Sequence, residues 1–293
     1  MTAVSPRPQG IPTPIRKLFF LGNPEKRECG AVLQSLLGFV KSRCEVVGSE
    51  LSADGRKAIA AGADAIVILG GDGTLIGVAR SLGRDQIPLI GVNLGKLGFL
   101  AEFSVEEFRG MFDRILRDAS LVNRRLVLKS SVERGSATLY SAVAVNDCVI
   151  HAGPPFRVIT LAVEINGRPL TEVSGDGLIV GTPTGSTAHS LSAGGPIVQP
   201  GVSAIVMTPL CPHSLTHKAI VMESDARITI RIDRANAGTT AIIDGQASWP
   251  LRAGDLVQLS RFEHDLLPVR NPLHPPWHKL VTKLHWGKLP NYD

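Results

Sequence analysis

Ala65-Ile66-Val67-Ile68-Leu69-Gly70-Gly71-Asp72-Gly73-Thr74 is the stretch that decides the fold. An unbroken apolar run with no polar alternation is what a parallel strand covered on both faces requires. The glycines end that strand at once, and residues 74–82 read as a helix. A turn between a buried strand and a helix lies at the carboxyl edge of a parallel sheet, where such folds place ligands. Glycine lets a backbone approach phosphate oxygens with no Cβ in the way, and a helix start offers free N–H groups. Gly70, Gly71, Gly73 and Thr74 are therefore candidate phosphate-binding residues. Asp72 does not fit phosphate binding alone, because its charge repels the ligand. It fits a group that takes a proton from a hydroxyl or helps hold a metal ion. A structural Asx-type turn is the competing reading.

Outward from that turn, strands and helices alternate. Residues 15–21 read as a first strand, 44–47 as a short one and 88–92 as another buried one. Val32, Leu33, Leu36, Leu37 and Val40 fall on one helical face. Ser104 and Glu107 have capping-box spacing ahead of Phe108, Met111, Phe112, Ile115 and Leu116, so a helix begins there. The alternation predicts a doubly wound α/β domain over 15–120. Residues 1–14 hold four prolines and no apolar period, which predicts a mobile tail. The pattern changes near Leu121. Residues 125–132, 138–145, 157–165, 226–232, 240–243 and 256–259 read as strands, and Asn166-Gly167 is a type I′ hairpin signal. One short helical stretch, 186–193, interrupts them. A β-rich second domain over 121–264, followed by a C-terminal segment over 265–293, is the simplest account.

Composition excludes several classes. The chain has 293 residues, 44% of them hydrophobic and 19% charged, which fits two globular domains rather than a disordered or coiled-coil chain. Aromatic residues make up 5%, too few for the stacking platforms of single-strand nucleic-acid binders. The net charge of +5 comes from scattered basic residues, so no nucleic acid is expected as a partner, while anionic small molecules fit. Cys29, Cys44, Cys148 and Cys211 are widely spaced with no C-x-x-C pair, which argues against a disulfide framework or structural zinc. No run reaches the ~18 apolar residues of a membrane helix, so no membrane is expected and the cytoplasm is the expected compartment. His213 and His217 are four apart, but Pro212 precedes them and the glutamate of H-E-x-x-H is missing; no metal ligands are assigned.

Two familiar phosphate motifs fail on spacing. Gly91 to Lys96 is one residue short of a Walker A loop, and Gly71, Gly73 and Gly77 give G-x-G-x-x-x-G rather than the Rossmann fingerprint. The segment Gly91-Val92-Asn93-Leu94-Gly95 reads as a second turn at the same sheet edge. Further on, Gly175-Asp176-Gly177-Leu178-Ile179-Val180-Gly181-Thr182-Pro183-Thr184-Gly185-Ser186-Thr187-Ala188-His189 is a strand, a hydroxyl-dense turn and a helix start. Clustered hydroxyls and free N–H groups suit a polar, phosphorylated ligand. A capped helix after a hairpin accounts for one threonine but not for the cluster. Asn146-Asp147 reads as the end of a strand, where an amide beside a carboxylate can address ribose hydroxyls or an adenine edge; a turn is the competing reading.

Residues 70–74, Asn146-Asp147 and the 176–196 block together resemble the three hallmark motifs of the NAD kinases. The resemblance continues through Asn93-Leu94-Gly95-Lys96-Leu97-Gly98-Phe99-Leu100, Pro212-His213-Ser214-Leu215 and Lys283-Leu284-His285-Trp286-Gly287, in order, over nearly the whole chain after the tail. The threonine-rich block is highly specific. The glycine-aspartate turn is shared with diacylglycerol kinases and phosphofructokinases.

This resemblance implies an α/β domain with a β-sandwich domain, a chain end that packs back on the first domain, and a homodimer or homotetramer. It implies phosphoryl transfer from ATP, or from polyphosphate, to the 2′-hydroxyl of the adenosine ribose of NAD, with Asp72 as the proton acceptor. A divalent metal ion, Mg²⁺, is expected to arrive with the donor. Asp72, Gly73, Asn146, Asp147 and Asp176 are implied contacts of NAD. So are Thr187, Ala188, His189, Ser190, Leu191 and Ser192, with Arg157 and Gln246 added by position. His189 stands where the family has tyrosine, Gly181 replaces a common serine, and Ser174 stands where many members carry arginine. These departures keep a non-catalytic NAD-binding regulator in view. A lipid or sugar-phosphate kinase would explain the glycine turn but leave the threonine-rich block without a purpose.

Overall fold

The computed structural model describes residues 14–95, 98–275 and 277–287. Of the expected tail over 1–14, only Pro14 falls within the described residues. Contacts divide the chain into two compact units: Met1–Val78, Ile87–Asn123 and Leu267–Asp293 form the first, Ala79–Gln86 and Arg124–Leu266 the second.

In the first unit the chain runs β1 (Lys17–Gly22), α1 (Cys29–Val40), β2 (Glu45–Glu50), α2 (Arg56–Ala60), β3 (Ala65–Gly70), α3 (Asp72–Leu82), β4 (Leu89–Asn93) and α4 (Val105–Arg117). The last turn of α3, from Ala79, is counted with the second unit. The strands pair in parallel in the order β2-β1-β3-β4. Every residue of β3 is buried, as its unbroken apolar run requires. Helix α1 buries Cys29, Leu33, Leu36 and Val40 along one face. Helix α4 opens on a complete capping box: the Glu107 N–H donates to Ser104 Oγ at 3.1 Å, and the Ser104 N–H to Glu107 Oε2 at 2.8 Å. Its buried Phe108, Phe112, Ile115 and Leu116 join the core under the sheet.

The second unit begins with β5 (Leu128–Arg134), β6 (Ala137–Ala144), β7 (Asp147–His151), β8 (Ile159–Ile165), β9 (Arg168–Gly175) and β10 (Gly177–Gly181). After the single-turn α5 (His189–Ser192) come β11 (Ala204–Leu210), β12 (Ile220–Glu223), β13 (Ile228–Arg234), β14 (Thr240–Ile243), β15 (Ala247–Pro250) and β16 (Leu256–Arg261). Two six-stranded sheets result, β12-β11-β10-β7-β14-β15 and β6-β5-β16-β13-β8-β9, with antiparallel pairing throughout. Leu178 and Val180 from one sheet and Leu161 and Ile230 from the other share a single core, which makes the unit a sandwich. The chain closes with α6 (His278–Leu284).

The α/β-plus-β-rich reading of the sequence is the observed fold, and several local expectations change. Helix α3 starts at Asp72 rather than Thr74, because the Gly71 carbonyl already accepts the Thr74 and Leu75 N–H groups. Asn146-Asp147 does not end a strand: Asn146 lies in the crossing from β6 to β7, and Asp147 opens β7. The expected helix over 186–193 is a 3₁₀ turn, Gly185–Thr187, followed by α5. The hairpin signal holds, with Asn166 and Gly167 at φ of 53° and 74° between β8 and β9. Among the described residues no helix is long and apolar enough to cross a membrane. Ser104→Ala removes one half of the capping box, and a urea denaturation curve should show a loss of about 1 kcal/mol.

Candidate active site

At the carboxyl edge of the parallel sheet, β3 and β4 end side by side, with Gly70 in register with Asn93. Thr74 is buried, and its Oγ1 accepts from Asn23 Nδ2 at 3.1 Å. A Cβ on Gly70 would stand 2.6 Å from that same Oγ1. Thr74 is thus a fastener for the turn, while Gly71 and Gly73 reach the surface.

Asp72 is held in a way the sequence did not announce. Its Oδ2 accepts the Phe99 N–H at 2.7 Å, and its Oδ1 accepts those of Leu100 and Ala101 at 2.9 and 3.0 Å. A Cβ on Gly98 would stand 1.9 Å from Oδ1, so the loop can grip the carboxylate only because residue 98 is glycine. A carboxylate offers about four lone-pair positions. Among the described residues three are taken, and the position left belongs to Oδ2. Beside this turn, Asn93 Oδ1 accepts from the Gly95 N–H, and its Nδ2 is a buried donor with no partner among the described residues.

In the second unit Asn146-Asp147 and the threonine-rich turn meet. The Thr182 N–H donates to the Asn146 carbonyl at 2.8 Å, and Thr182 Oγ1 donates to the Val145 carbonyl at 2.6 Å. A Cβ on Gly185 would lie 2.1 Å from the Asn146 carbonyl oxygen. At Gly181 the same test leaves 3.3 Å to that oxygen, tight but not prohibitive for the serine that the resemblance expects.

The hydroxyls of this turn do not form the open polar surface that their density suggests. Thr182, Thr184, Ser186 and Ser190 are buried. Ser186 Oγ donates to the Pro183 carbonyl and accepts from the Val198 N–H, and Ser190 Oγ bonds Thr208 Oγ1 at 2.8 Å. Thr182, Ser186 and Ser190 hold the turn from inside, Thr184 Oγ1 is buried with no partner among the described residues, and His189 and Ser192 are exposed. A cavity of about 590 Å³ lies there, lined among others by His189, Ser192, Cys211 and His217. Asp176 sits where the chain passes from one sheet to the other, and it hydrogen-bonds the Cys211 thiol, which raises that thiol's pKa. Its flanking glycines are required: a Cβ on Gly177 would meet the Ile150 carbonyl at 2.0 Å, and one on Gly175 the Leu210 carbonyl at 2.7 Å. Gln246 lines a second cavity of about 360 Å³ with His151, Phe156, Thr240 and Ser248. Arg157 is exposed, and its carbonyl accepts from Asn236 Nδ2. Ser174 Oγ bonds Thr160 within the other sheet.

Asp244 is the residue that sequence reasoning missed. Its side chain is fully buried and accepts the N–H groups of Val145, Asn146 and Asp147 at 3.0, 2.7 and 3.2 Å. Arg80 Nε lies 3.9 Å from Asp244 Oδ2, and the same guanidinium donates to Gln246 Oε1 at 3.3 Å. A signal was there: Asp244-Gly245, at φ of 51° and 66°, is the Asp-Gly hairpin dipeptide between β14 and β15. Arg80 gave none, being one arginine on a helix. Burial, and secondarily the Asp244 charge, push the Asp147 carboxyl up to about 7. Burial also raises Asp244, against its three backbone bonds and Arg80. Near neutral pH Asp147 can therefore either donate or accept a proton.

The ATP-NAD kinase N-terminal domain family matches residues 31–120, and the ATP-NAD kinase C-terminal domain family matches residues 145–270. The NAD kinase of Geotalea daltonii is 43% identical over 226 residues, 77% of this chain and 80% of the relative. That of Thiobacillus denitrificans is 38% identical over 230 residues, 78% of this chain and 79% of the relative. Among solved structures, yeast NADH kinase complexed with NADH superposes with a TM-score of 0.81 at 25% identity, covering 96% of this chain and 91% of that one. An NAD kinase from Archaeoglobus fulgidus in complex with ATP gives 0.71 at 23% identity, covering 87% and 94%, a likeness of fold.

A carboxyl whose folded-state pKa is raised binds protons more tightly in the folded than in the unfolded chain. Its contribution to stability is full below the ordinary carboxylate range and is lost as pH rises through about 7. Asp147→Asn should therefore flatten the decline in denaturation midpoint between about pH 4 and pH 7. An unchanged slope would show that Asp147 titrates in the folded chain as it does in the unfolded one.

Proposed function

The chain belongs to the NAD kinase family and transfers a phosphoryl group from ATP to the 2′-hydroxyl of the adenosine ribose of NAD, and from that premise we propose that Asp72 is the group that takes the hydroxyl's proton. The observation that carries this reading is the lone pair on Asp72 Oδ2 that no described residue takes, left by a carboxylate whose other positions are fixed by three N–H groups. The proton passes from the 2′-hydroxyl to Oδ2 as the ribose oxygen bonds the γ phosphorus. The bond from that phosphorus to the β–γ bridging oxygen breaks, its electron pair leaving with ADP. Gly71 and Gly73 let the backbone approach the phosphates.

Asn146, Asp147, Asp176, Thr187, Ala188, His189, Leu191, Ser192, Arg157 and Gln246 are proposed to hold the dinucleotide, together with Asp72 and Gly73. Residues 121–264 form the dinucleotide-binding part. The meeting of Asn146 with the 182–185 turn supports the assignment. Ser190, buried on Thr208, serves by shaping the turn. Among the described residues no three acidic, histidine or cysteine side chains converge on a point that could hold a metal ion. A divalent ion is proposed to enter with the donor, since Mg²⁺ commonly keeps phosphate and water ligands, and it would neutralise charge on the transferring group. Four free cysteines fit a reducing cytoplasm. Exposed Leu215, Ile220 and Val221 around β12, at the end of its sheet, fit a homodimer or homotetramer.

Asp72→Asn turns one of the three N–H groups toward an amide nitrogen, a local cost of about 1–3 kcal/mol that leaves the chain folded, and it should lower NADP formation from NAD and ATP at least about a hundredfold. Near-normal turnover rules out Asp72 as the base, and stoichiometric NAD binding by the unaltered chain without NADP formation favours a regulator. Gly98→Ala must displace either the carboxylate or its loop, and steady-state kinetics should show kcat lowered by roughly a hundredfold, as for a misplacement of about 1 Å.

A further inference from the structure

The loop that grips Asp72 is itself gripped from the far end of the chain. Lys279, on α6, donates from Nζ to the Phe99 carbonyl at 2.6 Å and to Glu102 Oε1 at 2.6 Å. Lys279 and Glu102 keep only 13% and 8% of their side-chain surface exposed, so this ion pair is largely desolvated. Glu102 is fixed in turn by Asn271, whose N–H reaches Oε2 at 2.8 Å and whose Nδ2 reaches the Glu102 carbonyl at 3.2 Å. One turn further along α6, the Lys283 ammonium lies 4.7 Å from the centre of the Phe99 ring.

The Phe99 carbonyl and the Leu100 N–H belong to one peptide plane. Its oxygen faces Lys279 and its hydrogen faces Asp72 Oδ1, at 2.6 and 2.9 Å. A cation on the carbonyl fixes the tilt of that plane and polarises the N–H on its other side. We propose that Lys279 is a positioning residue for the transfer reaction, acting on Asp72 through the Phe99–Leu100 peptide, with Glu102 and Asn271 as its anchor. The proposal rests on Asp72 being the base.

The test is a double-mutant cycle on the full chain, with NAD and ATP as substrates and NADP formation as readout. Lys279→Met keeps the apolar stem and removes the cation. It should lower kcat at least about tenfold while KM for NAD stays within about threefold, the signature of an interaction that matters in the transition state. Lys279→Arg should recover much of the loss. In the Asp72→Asn background the Lys279→Met change should have less than about a twofold further effect, because residues that act as a unit are not additive. An equal loss in both backgrounds, or a change in KM alone, overturns the positioning role and leaves the base assignment standing. Near-normal turnover of Asp72→Asn by itself overturns the base assignment instead. If circular dichroism shows Lys279→Met unfolded, Glu102→Gln takes its place: it loosens the anchor with little change in volume. It should lower kcat in the same direction, and an unaltered kcat there overturns the proposal.

Discussion

A carboxylate that collects three consecutive backbone N–H groups occurs twice among the described residues, and the irregular segments of both units depend on it. Asp72 gathers Phe99, Leu100 and Ala101, and Asp244 gathers Val145, Asn146 and Asp147. Residues 99–101 lie outside any helix or strand, and residues 145–147 enter a ladder only at Asp147, so their donors need another acceptor, and each left unmet while buried costs about 1–3 kcal/mol. An ionised carboxylate is the side chain with enough lone pairs to take all three, and its charge makes the bonds strong. The units differ in burial. The Asp244 side chain is fully buried, with Arg80 Nε 3.9 Å away; Asp72 is only half-buried, and its Oδ2 keeps a lone pair that no described residue takes.

The threonine-rich block follows a related logic. A turn this dense in hydroxyls looks like a ligand surface, yet Thr182, Ser186 and Ser190 spend theirs on the Val145 carbonyl, the Pro183 carbonyl and Thr208. Gly185 stands in the block because the Asn146 carbonyl leaves no room for a Cβ. Specific sequence here records a specific backbone path, and the outward chemistry is left to the few residues that path exposes, His189 among them.

How much of this could be read from the sequence follows from the range of each interaction. The buried β3 run, the Ser104–Glu107 box and the Asn166-Gly167 hairpin are local patterns and were legible. The Asp72 clamp joins residues 27 to 29 positions apart, and the Asp244 clamp residues 97 to 99 apart; no periodicity reports such pairings. Strand β11 escaped for a different reason. Pro209 lies inside its apolar run and argues against a central strand. Here β12 pairs only as far as Met207, so the missing N–H falls beyond the shared ladder. Strand β12, four residues and mostly exposed, offered no alternation to detect. Of the site, the candidate base and the Asn146-Asp147 pair were visible as residue types, but their supports were not.

The tie between Lys279 and Phe99 spans 180 residues, and Leu267 and Val269 also bond Leu89, the first residue of β4 in the sheet of the first unit. Chains emerge from the ribosome amino end first, at about 5–20 residues per second, and domains tend to fold as they appear. Everything from Arg124 to Leu266 is therefore made, and free to fold, before the first unit can receive its final segment. During that interval the nascent chain carries Asp72 and its loop without the lysine that braces them. Competence for catalysis arrives only once Lys279 has been made and has reached the Phe99 loop, rather than with the acidic residue itself.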